Sequence, residues 1–228
     1  MTNFQIKLIA IITMLIDHIG HALWDGQPEM SLPFVMRIIG RIAFPLFAFL
    51  IAEGCMHTKN MKAYMIRLGM FAIISQWFFA TFLQVGLLQN LNIFFTLLLG
   101  TFVIYCFNGV KTKTWPHLIL FIAMFIVIFI YAFELNIDFG GFGVLLIVLL
   151  YLAKGATHKK MFTALAAISV LAILYPPLDP SFGLPLFVGS LFSILPMVLY
   201  NGKRGWNKLK WLFYVFYPAH MLVIVLVR

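Results

Sequence analysis

Apolar runs long enough to cross a bilayer recur along this chain from one end to the other, and the polar residues between them come in short clusters. The pattern predicts nine helical spans, at roughly 5–24, 33–55, 62–86, 92–108, 114–134, 139–153, 160–175, 183–200 and 210–227. The sixth is short. Its fifteen or so residues cover about 22 Å, and the cluster Gly140, Gly141 and Gly143 lets it sit against a neighbour at a thin point. The connections alternate in charge. Lys59, Lys62 and Arg67, then Lys111 and Lys113, then Lys154, Lys159 and Lys160, then Lys203, Arg204, Lys208 and Lys210 fall in or beside every second one. The others hold Asp25 and Glu29, then Glu134 and Asp138, then Asp179, with no Lys or Arg. Because basic loops stay on the cytoplasmic side, the N-terminus is expected inside and Arg228 outside. Merging or splitting a span would break the alternation. The expected fold is therefore an all-α, polytopic membrane helix bundle of about nine transmembrane helices, a single domain over 1–228 with no internal repeat and no soluble domain. It would be a multi-pass protein of the bacterial plasma membrane.

Composition agrees with the pattern. A chain that is 63% hydrophobic and 10% charged cannot turn that surface to water, so the lipid bilayer is its first partner. A net charge of +9 would raise nucleic acid as a partner in a soluble protein, but here the basic residues mark topology and no nucleic acid is needed. The two cysteines, Cys55 and Cys106, fall near span ends on the expected cytoplasmic side and imply neither a disulfide nor a metal site. The first run lacks a small-residue cleavage motif and carries Asp17 and His18, so it reads as a retained helix, not a removed signal peptide.

The candidate chemistry lies at membrane depth. Asp17, His18, His21, Arg37, Arg41 and Glu53 stand within two otherwise apolar spans, and ionisable groups there are costly unless paired or functional. Depth decides which can meet. Measured from Trp24, His18 lies about 9 Å into its helix, and measured from Pro33, Arg37 and Arg41 lie about 6 and 12 Å into theirs. A loop of about eight residues makes the two helices adjacent and antiparallel, so contact of Asp17 or His18 with the arginine pair is expected. Arg37 and Arg41 share a face, as do Asp17 and His21. His220 on the last helix, Gln76 on the third and Asn92 at the start of the fourth enter at similar depth, which predicts a polar pocket in the outer half of the membrane. A structural role competes for two of the embedded groups. His220, in FYPAHM, is on its own a core histidine bonded to a carbonyl loosened by Pro218, and Glu53 can snorkel or pair with Lys59 or Lys62. Lys7 and His18, eleven residues apart, fall within about 20° of one helix face and about 16 Å apart along it.

These residues carry a resemblance. The run RIIGRIAFPLFAFLIAEGCMHTKN, preceded by LIDHIGH and followed by RLGMFAIISQ, LNIFFTL and the terminal LFYVFYPAHMLVI, closely resembles the TraX family, membrane proteins associated with N-terminal acetylation of conjugative pilin. More distantly, a basic residue ten residues before a histidine (Lys7 and His18) and an arginine pair on a later helix (Arg37, Arg41) are similar to the transmembrane acyltransferase superfamily. Those enzymes take an acyl group from cytosolic acyl-CoA and give it to an acceptor on the far side. Nine predicted spans are fewer than the ten or more usual there.

The resemblance implies acyl transfer from acetyl-CoA, or another acyl-CoA, to an amine or hydroxyl acceptor: a peptide or protein N-terminus, a glycan or a small amine. The reaction needs a base, an oxyanion stabiliser and exclusion of water. His18 is the expected base, since desolvation keeps an imidazole neutral and able to accept a proton, and His220 is the alternative. Arg37 or Arg41 would face the oxyanion or the donor phosphates, with Asp17 compensating one of them. Asp17 is not expected to orient His18 directly, because adjacent helical residues diverge by about 100°. Lys7 would stand at the entrance of the pantetheine arm, and His21, Gln76, Asn92 and Tyr217 would line the substrate pocket. Two other classes compete: a small transporter whose embedded charges relay protons or anions, and a non-catalytic partner of a conjugation or secretion apparatus. The missing inverted repeat and the gathering of polar groups on one side of the membrane weigh against transport.

Overall fold

A computed structural model of the chain describes residues 1–24, 31–109, 114–153, 188–206 and 210–228. The predicted span 160–175, the start of 183–200 and the loop charges Asp25, Glu29, Lys111, Lys113, Lys154, Lys159, Lys160, Asp179 and Lys208 lie outside the described residues. Within them the chain is helical: α1 (Asn3–Ala22), α2 (Leu32–Gly40), α3 (Ala43–His57), α4 (Met61–Leu83), α5 (Ile93–Gly109), α6 (Trp115–Glu134), α7 (Gly140–Leu152), a short α8 (Ile194–Val198) and α9 (Lys210–Val227). Among the described residues one isolated parallel bridge, Leu91 to Ile137, ties the α4–α5 connection to the α6–α7 connection. By length and composition, Asn3–Ala22, Leu32–His57, Met61–Leu83 and Trp115–Glu134 are each able to cross a membrane, and Ile93–Gly109, Gly140–Leu152, Val188–Val198 and Phe213–Val227 are shorter apolar helices.

The described residues fall into two compact units: Met1–Leu50 with Ala153–Arg228, and Ile51–Leu152. In the first, α1 begins in a capping box, where the Thr2 backbone N–H donates to Gln5 Oε1 (2.8 Å) and the Gln5 N–H to Thr2 Oγ1 (3.4 Å). The residues around this cap pair in parallel with the strap before α9. Asn201 N donates to Met1 O (2.9 Å), Asn3 N to Lys203 O (2.9 Å) and Phe4 N to Arg204 O (3.2 Å). Helix α9 then runs beside α1 in the same direction: Lys7 Nζ sits 5.2 Å over the Phe213 ring, and further along both helices His18 meets His220.

Helix α2 returns antiparallel to α1, and glycines set the approach. A Cβ on Gly20 would lie 2.8 Å from Met36 Cβ and 3.0 Å from the Pro33 carbonyl, and one on Gly40 would overlap the Asp17 side chain. The sequence pattern predicted one unbroken span over 33–55. Instead the helix ends at Gly40, turns through Arg41 and Ile42 and restarts as α3. Pro45 is the reason, since it has no N–H to give the Arg41 carbonyl and its ring clashes with that carbonyl in a continuous helix.

The second unit packs α5 against α4, α6 and α7, and α6 against α7. Helix α4 ends at Leu83, three residues short of the predicted boundary, because Gln84 adopts a left-handed cap (φ 58°). Helix α7 is buried nearly all round, whereas α6 turns Ile119, Leu120, Ile126 and Ile130 outward.

Candidate functional site

Helices α1, α2 and α9 bring six of the predicted site residues together in the first unit. Asp17, 9% exposed, accepts from both arginines of α2: Arg37 Nη1 donates to Oδ2 (2.8 Å) and Arg41 Nη2 to Oδ1 (2.7 Å). Arg37 lies in the last turn of α2 and Arg41 at its C-cap, four residues on, so both guanidiniums reach the same carboxylate from one face. Gly40 makes this possible, because its missing side chain leaves the space that Asp17 fills. Arg41 is further fixed by its Nε, which donates to the Arg37 carbonyl at 3.4 Å. Two guanidiniums on one carboxylate leave the trio with a charge of +1, and Asp17 is the only acidic side chain among the described residues of this unit. A fixed positive excess beside a mostly buried cluster favours any developing anion.

One helical position on, His18 Nδ1 lies 2.6 Å from His220 Nε2. The two rings are parallel within 1°, with centroids 4.9 Å apart. His220, 4% exposed, uses its other nitrogen locally, Nδ1 donating to the Phe216 carbonyl at 2.7 Å. The carbonyl is that of the preceding turn of α9 and not the Tyr214 carbonyl that Pro218 leaves without its helical donor. Both nitrogens of His220 are thus committed, one to α9 and one to His18. Tyr217 closes the corner edge-on, 6.3 Å from the His18 ring and 5.8 Å from that of His220.

His21 is within electrostatic reach of Arg37, Asp17, Arg41 and Arg228. Lys7 lies toward the opposite end of α1, over Phe213 and near Arg204. Gln76 and Asn92 belong to the second unit, where they bond to each other and to the connection between α4 and α5. Gln76 Nε2 donates to the Leu87 and Asn90 carbonyls (2.7 Å each), and Asn92 Nδ2 donates to the Ala72 carbonyl (2.7 Å) and Gln76 Oε1 (2.8 Å). All four side-chain N–H donors are used to hold that helix end. In the same unit Glu53, 5% exposed, stands 3.5 Å from His57 Nε2, its i, i+4 neighbour. Among the described residues no group of three His, Cys, Asp or Glu side chains is arranged to hold a metal.

Sequence reasoning missed Gly20 and Gly40, the small residues that let α1 and α2 close on Asp17. The available signal was a glycine on each helix at the depth of the embedded charges. It also missed the direct bond between His18 and His220, for which matched depth was the nearest hint.

A family profile described as TraX protein matches residues 3–228. A relative from Dichelobacter nodosus, named probable fimbrial assembly protein FimC, serogroup H1, is 29% identical over 239 aligned residues, covering 97% of this chain and 93% of that one. A protein of Rickettsia prowazekii (strain Madrid E), named uncharacterized protein RP591, is 30% identical over 193 residues, covering 79% and 71% respectively. No solved structure matches the chain.

Proposed function

The chain belongs to the TraX family of membrane proteins, and from that premise we propose that it is a membrane acyltransferase, moving an acetyl or other acyl group from cytosolic acyl-CoA to an amine or hydroxyl acceptor at the outer face. The observation that carries this reading is one arrangement: an imidazole, His18, held beside a carboxylate that is outnumbered by two guanidiniums. In the reaction the acceptor N–H or O–H gives its proton to His18 Nε2. The acceptor atom bonds to the thioester carbon, the C–S bond breaks, and the proton passes to the leaving sulfur to give the free thiol. Arg37 and Arg41 stabilise the oxyanion between these steps, and Asp17 holds their forks in place while leaving the excess positive charge. His220 spends one nitrogen on the Phe216 carbonyl and the other on His18.

The finer topology belongs to the same proposal: nine spans, N-terminus in the cytoplasm, Arg228 outside, in the plasma membrane of a bacterium. The parallel course of α1 and α9 supports it, since a first and last span that cross in the same direction require an odd number of spans. In that orientation Lys7, Lys203 and Arg204 gather at the inner end of the unit, where the phosphates of acyl-CoA would arrive. The acceptor is an outer amine or hydroxyl on a peptide N-terminus, glycan or small molecule. The name of the Dichelobacter relative favours a second reading, a non-catalytic part of a fimbrial assembly apparatus.

The deciding experiment incubates purified protein in nanodiscs with radiolabelled acetyl-CoA and a mixture of amine acceptors. Label is expected on an acceptor, or released slowly as acetate, with His18→Ala lowering transfer by about 10²–10⁴-fold while acetyl-CoA still binds. Equal transfer by wild type and His18→Ala would remove His18 from the chemistry. Tight association with a fimbrial subunit and no transfer would favour the second reading.

A further inference from the structure

We propose that His220 is a positioning residue that holds His18 in a single tautomer and takes, for this imidazole, the part that a carboxylate takes in hydrolytic triads. The Phe216 carbonyl can only accept, so the nitrogen 2.7 Å from it, His220 Nδ1, carries a proton. In a neutral His220 the lone pair then falls on Nε2. That lone pair faces His18 Nδ1 at 2.6 Å, which makes His18 the donor of this bond. A neutral His18 with its proton on Nδ1 has its lone pair on Nε2, the nitrogen required of a base. When Nε2 takes a proton from the acceptor, the imidazolium keeps its Nδ1–H on His220, and the coplanar rings share that hydrogen along a short, straight path.

The neighbouring carboxylate does not fill this role. Asp17 is the residue adjacent to His18, but its Oδ1 and Oδ2 are taken by Arg41 and Arg37, and successive side chains on a helix diverge by about 100°. A second imidazole brought by α9 supplies the acceptor instead. The parallel register of α1 and α9, fixed by the backbone pairing of Asn3 and Phe4 with Lys203 and Arg204, sets the two histidines level. The positioning role in turnover rests on the acyl-transfer reading, whereas the tautomer does not.

The test therefore has two arms. Protein carrying 15N-labelled histidine in nanodiscs is assigned by comparison with His18→Ala and His220→Gln. Wild-type His18 is expected as the Nδ1–H tautomer, with a coupling to His220 across the hydrogen bond. His220→Phe, which keeps the ring and removes the acceptor, should return His18 to the Nε2–H form that free imidazoles prefer. In the second arm, transfer from acetyl-CoA should fall roughly 10²-fold in kcat for His220→Phe with KM for acetyl-CoA unchanged, and His220→Gln, which restores an acceptor oxygen, should recover much of it. A wild-type His18 protonated on Nε2 overturns the proposal whatever the activity. Full turnover by a folded His220→Phe overturns it too. The expected tautomer without transfer by any variant supports the pairing and overturns the acyl-transfer reading instead.

Discussion

Removing Asp17 tests the charge arithmetic of the site. Asp17→Ala deletes two charge-assisted hydrogen bonds of 2.8 and 2.7 Å, each worth about 1.5–3 kcal/mol. It also leaves Arg37 and Arg41 facing each other with no carboxylate. The guanidinium side chains are 19% and 22% exposed, so part of the loss is relieved by turning toward polar surroundings. Breaking a buried pair by deleting one partner costs about 3–5 kcal/mol, and the lower half of that range fits this exposure. Arg37→Leu removes one bond yet takes the trio from +1 to neutral, so its cost should be only about 1–2 kcal/mol. A loss of about 3 kcal/mol in a chain of this size corresponds to a fall in unfolding midpoint of roughly 10 °C, read by heating the protein in nanodiscs and following the remaining monodisperse fraction. The expected order of damage is Asp17→Ala well above Arg37→Leu, with the double variant Asp17→Ala/Arg37→Leu better than Asp17→Ala alone. If Arg37→Leu is as harmful as Asp17→Ala, or the double variant is worse than both, charge balance does not govern this cluster and the argument fails.

Gly40→Ala should place a methyl group on the Asp17 side chain, costing about 1–3 kcal/mol and lowering transfer, whereas Gly109→Ala, which meets nothing within 4 Å among the described residues, should change stability by less than about 0.5 kcal/mol; a thermal melt of both decides. Asn92→Ala should lose about 1–3 kcal/mol by removing the second donor to the Ala72 carbonyl and the side-chain partner of Gln76 Oε1, again read by thermal melting, and a midpoint unchanged from wild type would contradict the clamp. Single cysteines at Asn60 and Lys203 should react with a membrane-impermeant thiol reagent only in inverted vesicles, and labelling from outside intact cells would reverse the proposed orientation.

Much of the helical layout was legible before any coordinates, because only helices satisfy their own backbone in lipid and a run of apolar residues therefore announces one. Helices α1, α4, α5, α6, α7 and α9 start and stop within a few residues of where the pattern puts them. Depth was legible too. Rise per residue is fixed, so the meeting of Asp17 with Arg37 and Arg41 could be argued from distances to Trp24 and Pro33, and the structure makes both contacts. The break at Arg41 was available in principle from Pro45 but was hidden by the continuous hydrophobicity of 33–55.

Which faces touch was not legible. Water marks the outside of a soluble helix with polar residues, but lipid tails are as apolar as a protein interior and leave no such mark. Helices α6 and α7 make the point. Both are apolar all round, yet α6 turns most of its residues outward and α7 buries nearly every one. The glycines that open α7 hinted at close packing, but neither hydropathy nor polarity marked which of the two helices would be enclosed. For the same reason the partner of His220, the use of Gln76 and Asn92 as a helix-end clamp, and the fit of Gly40 against Asp17 were decided only by packing, where a missing Cβ or an angle of rotation about a helix axis selects which polar groups meet.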